Sequence, residues 1–502
     1  MSKVRGVEPG AWGDLGNGFY RNPVLKADFS DPDVIKVGDD FYMVCSDFHY
    51  MGMPVLHSRD LVNWSIIGQI YNRLNIDPRY DRMERYAGGS WAPTIRFHNG
   101  LFYVYFCTPE EGLYMSTAEH PSGPWAPLHE IRRVRGWEDP CPFWDDDGHA
   151  YLGHSTVGAG PVILHRMSPD GKDLIDEGVI IYIGKIAEGT KIYKRNGFYY
   201  LIIPEGGVEE GWQTALRSRH IYGPYERRVV LEQGKTGVNG PHQGAMVETA
   251  FGEHWFMHFQ SMGALGRVCH LQPVQWVDDW PVLGCGGEPV SIFRKPRVNP
   301  EHPLNFLQTS DEFDGLKLGW QWQWNHNPED RNWSLTERPG YLRLKAMPAP
   351  DLMRARNTIT QKLIGGRGVI TVELSMENMA GRQRTGLVYL GGGGKNENWL
   401  GVQQNEGGRR IQAATDGVHY HGPELEGDLV WLRTEYDFAG ATRFSFSING
   451  KDFLPLGGEC RLSAGFWKGT RIGLFSYNCV EERGAADFNW FRYQHDGPSP
   501  QD

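Results

Sequence analysis

The chain has 502 residues, which is long for one domain, so we expect two or three. Aromatic residues make up 13% of it and there are 64 glycines, a composition that favours an all-β protein of short strands. The net charge of -10 is spread without long runs of one sign, and no apolar run is long enough to span a bilayer, so neither nucleic acid nor a membrane is an expected partner.

Five aromatic-rich apolar segments recur in the first part of the chain, each beside a glycine turn. They begin at Asp39, Asn99, Asp147, Asn196 and Gly252. The accompanying glycines lie roughly 50 to 60 residues apart, a period typical of four-stranded propeller blades. We therefore predict a five-bladed β-propeller over residues 1–295.

Three carboxylates occupy one position of this repeat. Asp31, Asp139 and Glu188 lie seven to nine residues before the repeated glycine. Equivalent positions of every blade point at a common axis, so the three side chains should converge on one site. Taken singly, Asp31 and Asp139 could be turn caps before Pro32 and Pro140, and a lone Glu at a strand start is usually a surface residue. The shared position favours a site.

The pattern changes after the proline-rich segment FRKPRVNPEHPLNF, which indicates a linker over residues 296–309. Beyond it, segments alternate apolar and polar residues and are separated by turns such as Asn449-Gly450. These segments are YLRLKA, GVITVELSM, TGLVYLG, WLRTEYDF, TRFSFSING and RIGLFSYN. One apolar face per strand predicts a two-sheet β-sandwich over residues 310–502.

The seven cysteines are scattered and contain no CxxC pair, so we expect reduced, mostly buried thiols in a reducing compartment. The N-terminal segment MSKVRGVEPG has no apolar h-region, so no secretory signal is visible and a cytoplasmic location is predicted. A mature form without its leader has the same appearance, and that alternative stays open.

Six segments of the first part carry a family resemblance. They read NPVLKADFSDPD, SWAPTIRFHNGLFYVYF, EDPCPFWDDDGHAYL, AEGTKIYKRNGFYYL, GPHQGAMVET and ALGRVCHLQPVQW. In this order they resemble glycoside hydrolase family 43, the five-bladed β-propeller β-xylosidases and α-L-arabinofuranosidases. The remainder resembles the concanavalin A-like β-sandwich that follows the propeller in β-xylosidase-type members. The resemblance implies an inverting exo-glycosidase that hydrolyses non-reducing-end β-xylosyl and/or α-L-arabinofuranosyl residues of hemicellulose-derived oligosaccharides.

The resemblance also implies a role for each carboxylate. Asp31 is expected to be the general base, Glu188 the general acid and Asp139 the residue that modulates the acid's pKa and holds it in position. An inverting glycosidase needs one carboxylate to activate water and a protonated carboxyl to protonate the leaving oxygen. The acid and the base, Glu188 and Asp31, meet that requirement.

Two positions depart from the family pattern. Asp33 stands where serine is frequent, two residues after the expected base. Thr190 and Lys191 follow Glu188 and Gly189 where Pro-His is frequent. Neither departure removes a catalytic carboxylate, but both leave the choice between xylose and arabinofuranose open.

Four further residues are candidates for substrate binding. Arg267 resembles the family arginine that reaches a sugar hydroxyl, with a rim salt bridge as the alternative. Trp91 matches a pocket aromatic, with a core Trp as the alternative. Phe48 and His49 follow the first aromatic strand and are expected to border the pocket. A loop from Gly391 to Trp399 of the sandwich is a candidate for closing one side of it.

No cofactor is expected for the chemistry, but structural calcium is predicted at two places. His242 shares the repeat position of the carboxylates, and in similar proteins the matching histidine helps bind an axial calcium ion. Glu312 and Asp487 lie in the first and last strands of the sandwich and could share an ion there. A buried structural histidine and ordinary strand-end acids are the alternatives, since calcium prefers oxygen ligands and these residues are few.

Two other functions have weaker support in the sequence. A non-catalytic carbohydrate-binding, lectin-like propeller protein is possible on composition, but the three retained carboxylates argue against it. A five-bladed retaining fructosidase lacks support, because Ser30 precedes Asp31 and the Asn-Asp-Pro-Asn motif is absent. The expected partner is a small oligosaccharide, and the oligomeric state is open.

Overall fold

The protein is all-β in this computed structural model, which describes residues 11–299, 302–391, 398–465 and 467–499. Within these ranges the helical elements are short 3-10 turns at Pro78–Tyr80, Gly263–Leu265, Asp330–Asn332 and Leu352–Arg354. No helix in the described part of the chain has the length and apolar character needed to cross a bilayer. All seven cysteines are free, and only Cys285 and Cys479 are exposed, as expected from the sequence.

The first part of the chain consists mainly of five successive four-stranded antiparallel sheets. Two short strands precede them, β1 (Gly13–Asp14) and β2 (Phe19–Arg21). Sheet one contains β3 (Ser30–Val37), β4 (Asp40–Ser46), β5 (Pro54–Ser58) and β6 (Trp64–Gln69). Sheet two contains β7 (Trp91–His98), β8 (Leu101–Thr108), β9 (Gly112–Ala118) and β10 (His129–Arg133).

The other three sheets repeat this plan. Sheet three contains β11 (Trp137–Trp144), β12 (Ala150–Thr156), β13 (Val162–Met167) and β14 (Val179–Tyr182). Sheet four contains β15 (Lys191–Arg195), β16 (Phe198–Glu205), β17 (Trp212–Ser218) and β18 (Glu226–Leu231). Sheet five contains β19 (His242–Glu248), β20 (His254–Ser261), β21 (Arg267–Val277) and β22 (Trp280–Leu283). A later strand, β23 (Ile292–Arg294), pairs with β2.

Local turn chemistry explains the repeated hairpins. Asn99 and Gly100 join β7 to β8, and Asn196 and Gly197 join β15 to β16; all four have positive φ. Two central residues with positive φ make the type I′ turn, whose twist matches that of the paired strands. The aromatic strand that follows is almost wholly buried, as in β8.

Neighbouring sheets pack through the strands that begin them. β3 contacts β7, β7 contacts β11, and β11 contacts β15, while β19 contacts both β16 and β3. The starts of the first strands therefore lie near one another, although they are far apart in sequence.

Two larger sheets make up the second part. Their strands are β24 (Gln323–Trp324), β25 (Trp333–Ser334), β26 (Leu342–Lys345), β27 (Met347–Pro348), β28 (Thr358–Lys362), β29 (Arg367–Ser375), β30 (Gln383–Leu390), β31 (Asn398–Asn405), β32 (Gly408–Thr415), β33 (Val418–Leu425), β34 (Leu429–Asp437), β35 (Arg443–Ser447), β36 (Leu454–Pro455), β37 (Arg471–Asn478) and β38 (Ala485–His495). One sheet has the order β24-β28-β37-β30-β31-β32-β33, with β27 beside β37, and the other has the order β25-β26-β38-β29-β34-β35-β36. Alternating burial along β29 and β34 gives the second sheet one apolar face.

A buried ionic cluster joins the two parts of the molecule. Asp47, which is fully buried after β4, accepts hydrogen bonds from Lys362 Nζ and Arg471 Nη2, each at 2.5 Å. Lys362 Nζ also donates to the carbonyl of Asp28 at 2.7 Å. Because the lysine and the arginine come from the larger sheets, these charge-assisted bonds fix the second part against the first.

Candidate active site

Two of the predicted carboxylates, Asp31 and Asp139, lie at irregular positions where the first strands of their sheets begin. The register shifts between Ser30 and Asp33 in β3 and between Glu138 and Cys141 in β11. Within these bulges Asp31 has a φ of 54° and Asp139 a φ of 57°. A bulge with a left-handed residue re-aims a side chain out of the regular pleat, and such strained positions are frequent at functional sites.

One cavity of about 380 Å³ brings Asp31, Asp139 and Glu188 together. It is also lined by apolar and aromatic residues and by a few polar ones, namely Phe48, Trp91, Ala92, Glu138, Val157, Gly158, Ala159, Ile186, Gly207, Val208, His242, Gln243, Arg267 and Trp467. This volume, with convergent carboxylates and aromatic walls, suits a small polar ligand such as a sugar.

Asp31 is held by three hydrogen bonds. Its Oδ2 accepts from Ser30 Oγ at 2.9 Å and from Ser46 Oγ at 2.6 Å. Its Oδ1 accepts from Arg267 Nη1 at 2.9 Å. Arg267 thus reaches the cavity and pairs with the expected base. This position is compatible with both roles considered for Arg267, a salt bridge and a contact with a sugar hydroxyl.

Asp139 is buried and links the sheets around the cavity. Its Oδ2 accepts from Ser155 Oγ at 2.7 Å and from the Gly189 amide at 2.8 Å, and its Oδ1 accepts from Gln243 Nε2 at 3.1 Å. Burial and the negative charge of Glu188 raise the pKa of Asp139 to about 6. The bond to the amide after Glu188 shows how Asp139 positions the backbone of the expected acid.

Gly189 is required at its position for two reasons. Its φ is 61°, and a Cβ there would lie 2.9 Å from side-chain atoms of Gln243 and Pro204. A larger residue would displace the chain that carries Glu188.

Glu138 adjoins Asp139 and also lines the cavity, a position that the sequence reading missed. Burial, with the negative charges of Asp139 and Glu188, raises the pKa of Glu138 to about 9. In the described residues, Glu138, Asp139 and Glu188 form the one group of three possible ligand side chains whose atoms all lie within 4.8 Å of one another. The three hydrogen bonds to Asp139 use most of the acceptor capacity of its two oxygens.

His242 lies on the same cavity, buried beside Glu188. Its Nε2 is 3.0 Å from Glu188 Oε1, an ion-pair distance outside hydrogen-bond geometry. Its Nδ1 is buried and has no hydrogen-bond partner among the described residues. An orphaned nitrogen of this kind fits a water molecule or a hydrated ion. The chemistry therefore fits the axial calcium that the resemblance implies, which stays a prediction.

Three of the four predicted substrate-binding residues line the cavity, and His49 is the exception. Trp91 and Phe48 meet edge to face, with ring centroids 5.9 Å apart. His49 is fully buried and does not line the cavity. It packs instead on His326, with ring centroids 4.5 Å apart. The φ of Phe48 is 56°, so the chain is not extended here, and the ring of His49 faces the second part of the molecule.

Trp467 gives the cavity a wall from the second part of the chain, and the sequence reading missed it. Its ring centroid lies 6.4 Å from that of Trp91. The next residue, Lys468, is buried with its Nζ 2.7 Å from His49 Nδ1. Burial and the charge of Arg471 lower the pKa of Lys468 well below its usual value. His49 thus supports the wall rather than forming it.

The predicted closing loop, Gly391 to Trp399, lies largely outside the described residues, which omit 392–397.

No sequence pattern indicated Trp467 as a residue of the cavity. Glu138 could have been found from the acidic pair that precedes Pro140 in GWEDP, since two adjacent acids beside a predicted site indicate a shared environment.

The predicted sandwich calcium site gains no support from the contacts of its two residues. Asp487 is bound by Arg343 Nε at 2.7 Å and by Arg338 Nη1 at 2.9 Å, and these hydrogen bonds lower its pKa against the opposing effect of burial. Glu312 pairs with Arg492 at 3.4 Å. Asp311 forms an isolated bridge with Phe491, but Glu312 lies outside the described strands, and Asp487 pairs with Arg343 and Ser375. Arginine ion pairs already use the carboxylates that calcium would need.

Two family models match the chain. Glycosyl hydrolases family 43 matches residues 20–281, and the beta xylosidase C-terminal concanavalin A-like domain matches residues 310–494. The chain belongs to glycosyl hydrolase family 43. The first match contains all three predicted carboxylates, and the second contains Trp467.

Relatives agree with this membership. A protein of Xylanibacter ruminicola is 53% identical over 479 residues, covering 94% of this chain and 88% of its own. A beta-xylosidase of Formosa agariphila is 36% identical over 99% of this chain and 94% of its own. A non-reducing end alpha-L-arabinofuranosidase of Bacteroides ovatus is 33% identical over 65% of each chain. A crystal structure of a mutant of a family 43 protein from Bacillus licheniformis superposes with a TM-score of 0.85 at 30% identity, covering 95% of this chain and 99% of the other.

Proposed function

We propose that this glycoside hydrolase is an inverting exo-glycosidase that removes β-xylosyl and/or α-L-arabinofuranosyl residues from the non-reducing ends of hemicellulose-derived oligosaccharides. The observation that carries the proposal is the convergence of Asp31, Asp139 and Glu188 on one cavity of about 380 Å³. The names of the Formosa and Bacteroides relatives support the two sugars. No finding favours the lectin-like alternative.

In the proposed reaction Asp31 activates a water molecule, and Glu188 protonates the leaving oxygen on the opposite side of the sugar. Ser30, Ser46 and Arg267 fix the orientation of the Asp31 carboxylate. Asp139 holds the backbone beside Glu188 through the Gly189 amide. The proton that Asp31 takes from water and the proton that Glu188 gives up balance over one turnover, and no covalent glycosyl-enzyme forms.

The enclosure supports release of single sugars. Trp91 lies on one side of the cavity and Trp467, from the second part of the chain, lies within ring contact of it. Aromatic faces stack on the apolar CH face of a sugar, and a wall beside the cavity limits the length of oligosaccharide that the cavity can hold. This shape favours the removal of terminal sugars over cleavage inside a long chain.

The architecture has a matching proposal. We propose that the five four-stranded sheets form a closed five-bladed β-propeller over residues 1–295, followed by a linker over 296–309 and the concanavalin A-like sandwich over 310–502. The sequential packing of the first strands, with β19 beside β3, supports the closure. We also propose a structural calcium ion near His242, without a part in the reaction.

Hydrolysis of nitrophenyl β-xyloside and α-L-arabinofuranoside tests the activity directly. Release of nitrophenol from at least one substrate is expected, and proton NMR of the first sugar released from a xylo-oligosaccharide should show the inverted anomer. Oligosaccharide binding without any hydrolysis would favour the lectin-like alternative. Retention of the anomer would reject the inverting mechanism.

A further inference from the structure

Glu138 is a fourth carboxyl group of the cavity, and the reaction described above does not use it. The residue is only 6% exposed, yet it lines the cavity. Its single recorded hydrogen bond in the described part of the chain comes from the Ala159 amide to Oε1, at 3.3 Å. Asp31 and Asp139 accept three hydrogen bonds each. Glu138 therefore has an oxygen free for a ligand.

The position of Glu138 follows from the bulge in β11. Neighbouring residues of a regular strand point to opposite faces, but the positive φ of Asp139 interrupts that alternation. Glu138 and Asp139 consequently both line the cavity. One carboxylate oxygen from each of them and one from Glu188 all lie within 4.8 Å of one another.

Three carboxylates this close cannot all be ionised at low cost. The groups around Glu138 are Asp139 on its own strand, Glu188 before β15, Asp31 in β3, and the cavity residues His242 and Arg267. Arg267 is committed to Asp31, so its charge does not offset that of Glu138. With its pKa near 9, Glu138 carries a proton at neutral pH and can donate a hydrogen bond.

We propose that Glu138 is a substrate-binding residue that donates a hydrogen bond from its protonated carboxyl to a hydroxyl group of the sugar held between Asp31 and Glu188. The inference rests on the proposed function, because it takes a glycoside as the ligand. Asp31 and Asp139 each accept three hydrogen bonds from the protein, and Glu138 supplies a donor to a cavity in which the carboxylate oxygens are acceptors. A buried donor matched to a sugar hydroxyl favours substrates that carry that hydroxyl.

Replacing Glu138 with Gln and with Ala separates the donor from the charge. Glu138→Gln keeps a neutral donor of the same shape, so its KM at pH 7 should rise less than that of Glu138→Ala. Glu138→Ala removes the donor and should raise KM about tenfold with a smaller change in kcat. Glu177→Gln makes the same chemical change at a side chain that is 95% exposed and serves as the control.

The pH profile adds a readout that a structural role would not move. Above about pH 9 the wild-type Glu138 loses its proton and its donor, so KM should rise there. Glu138→Gln cannot ionise, and its KM should stay flat over the same range. An unchanged alkaline rise of KM in Glu138→Gln overturns the proposal, as does a wild-type KM in a folded Glu138→Ala.

Calorimetric titration with xylose and with arabinose keeps the inference testable apart from turnover. A wild type that hydrolyses no glycoside but binds either sugar, with about tenfold weaker binding to Glu138→Ala, contradicts the proposed function and supports the role of Glu138. Equal binding by wild type and Glu138→Ala overturns the inference alone. If the wild type binds neither sugar, whether or not it hydrolyses glycosides, the inference is also overturned.

Discussion

Lys191 and Asp33, two of the residues at which this chain departs from the family pattern, form a buried ion pair with each other. Lys191 Nζ lies 3.5 Å from Asp33 Oδ1, and both side chains are fully buried. Arg96 Nη1 donates to Asp33 Oδ2 at 2.7 Å. Strands of three sheets, β3, β7 and β15, are thus joined by one carboxylate. Neither residue lines the cavity. The opposite charges of the two substituted residues neutralise each other inside the fold.

Asp33→Asn should destabilise the protein, because Arg96 and Lys191 then remain buried without a countercharge. Removing one partner of a buried ion pair typically costs about 3–5 kcal/mol. Asp170→Asn, at an exposed pair with Lys172, is the control and should cost less than about 1 kcal/mol. Urea unfolding of both variants gives the comparison. Equal stability of the two would show that the Asp33 cluster contributes little.

Asp31→Asn and Glu188→Gln should each lose about 10²- to 10⁴-fold in kcat with the fold intact, because each removes one proton-transfer group. The control is Asp147→Asn, an exposed turn acid of the third sheet. Steady-state kinetics on the nitrophenyl glycosides and circular dichroism provide the measurements. A fully active Asp31→Asn enzyme would discredit the assignment of the base.

Asp139→Asn should lower kcat about 10²-fold through misplacement of Glu188. An amide cannot accept from Gly189, Ser155 and Gln243 together, since one of its two atoms is a donor. The acidic limb of kcat/KM, which the Asp139 pKa of about 6 places near neutrality, should move. A pH-rate profile unchanged in shape, with only its height reduced, would contradict a role of Asp139 in the proton balance.

Trp467→Ala should raise KM for aryl glycosides about three- to tenfold, because the cavity loses an aromatic wall. Activity on longer oligosaccharides should fall less, since the opened side admits them. Trp320→Ala, at another exposed tryptophan of the sandwich that does not line the cavity, is the matched control. The same KM change in both variants would remove Trp467 from the site.

The contribution of Glu138 and Asp139 to the free energy of unfolding should fall as pH rises from about 5 to 9. The folded-state pKa values of Glu138 and Asp139 are raised to about 9 and about 6, from ordinary values of 4.5 and 3.8. The unfolded chain therefore releases these protons first, and the stability they contribute at low pH is lost as the folded groups ionise. The free energy of unfolding of the wild type minus that of Glu138→Gln should therefore fall as pH rises over this range, which urea unfolding at several pH values measures. A difference that grows with pH would reverse the assigned sign.

Part of the candidate site was predictable because the relevant signals are local. The Asn-Gly turns and the aromatic strands after them set the repeat, and the repeat gives Asp31, Asp139 and Glu188 a common position. Arg267 and Trp91 followed from motif resemblance and Phe48 from its place after the first aromatic strand, and all three line the cavity. Glu138 was missed because the bulge at Asp139, not the strand pattern, turns it inward.

The amino-acid sequence by itself determined the all-β class, the hairpin turns and the spacing of the three carboxylates, since each depends on near neighbours in the chain. Only the tertiary structure decided that Asp33 neutralises Lys191, that His49 supports Lys468 and that Trp467 walls the cavity. These contacts join residues far apart in sequence. Their existence depends on how separate sheets pack, and burial then sets which charges must be paired or protonated.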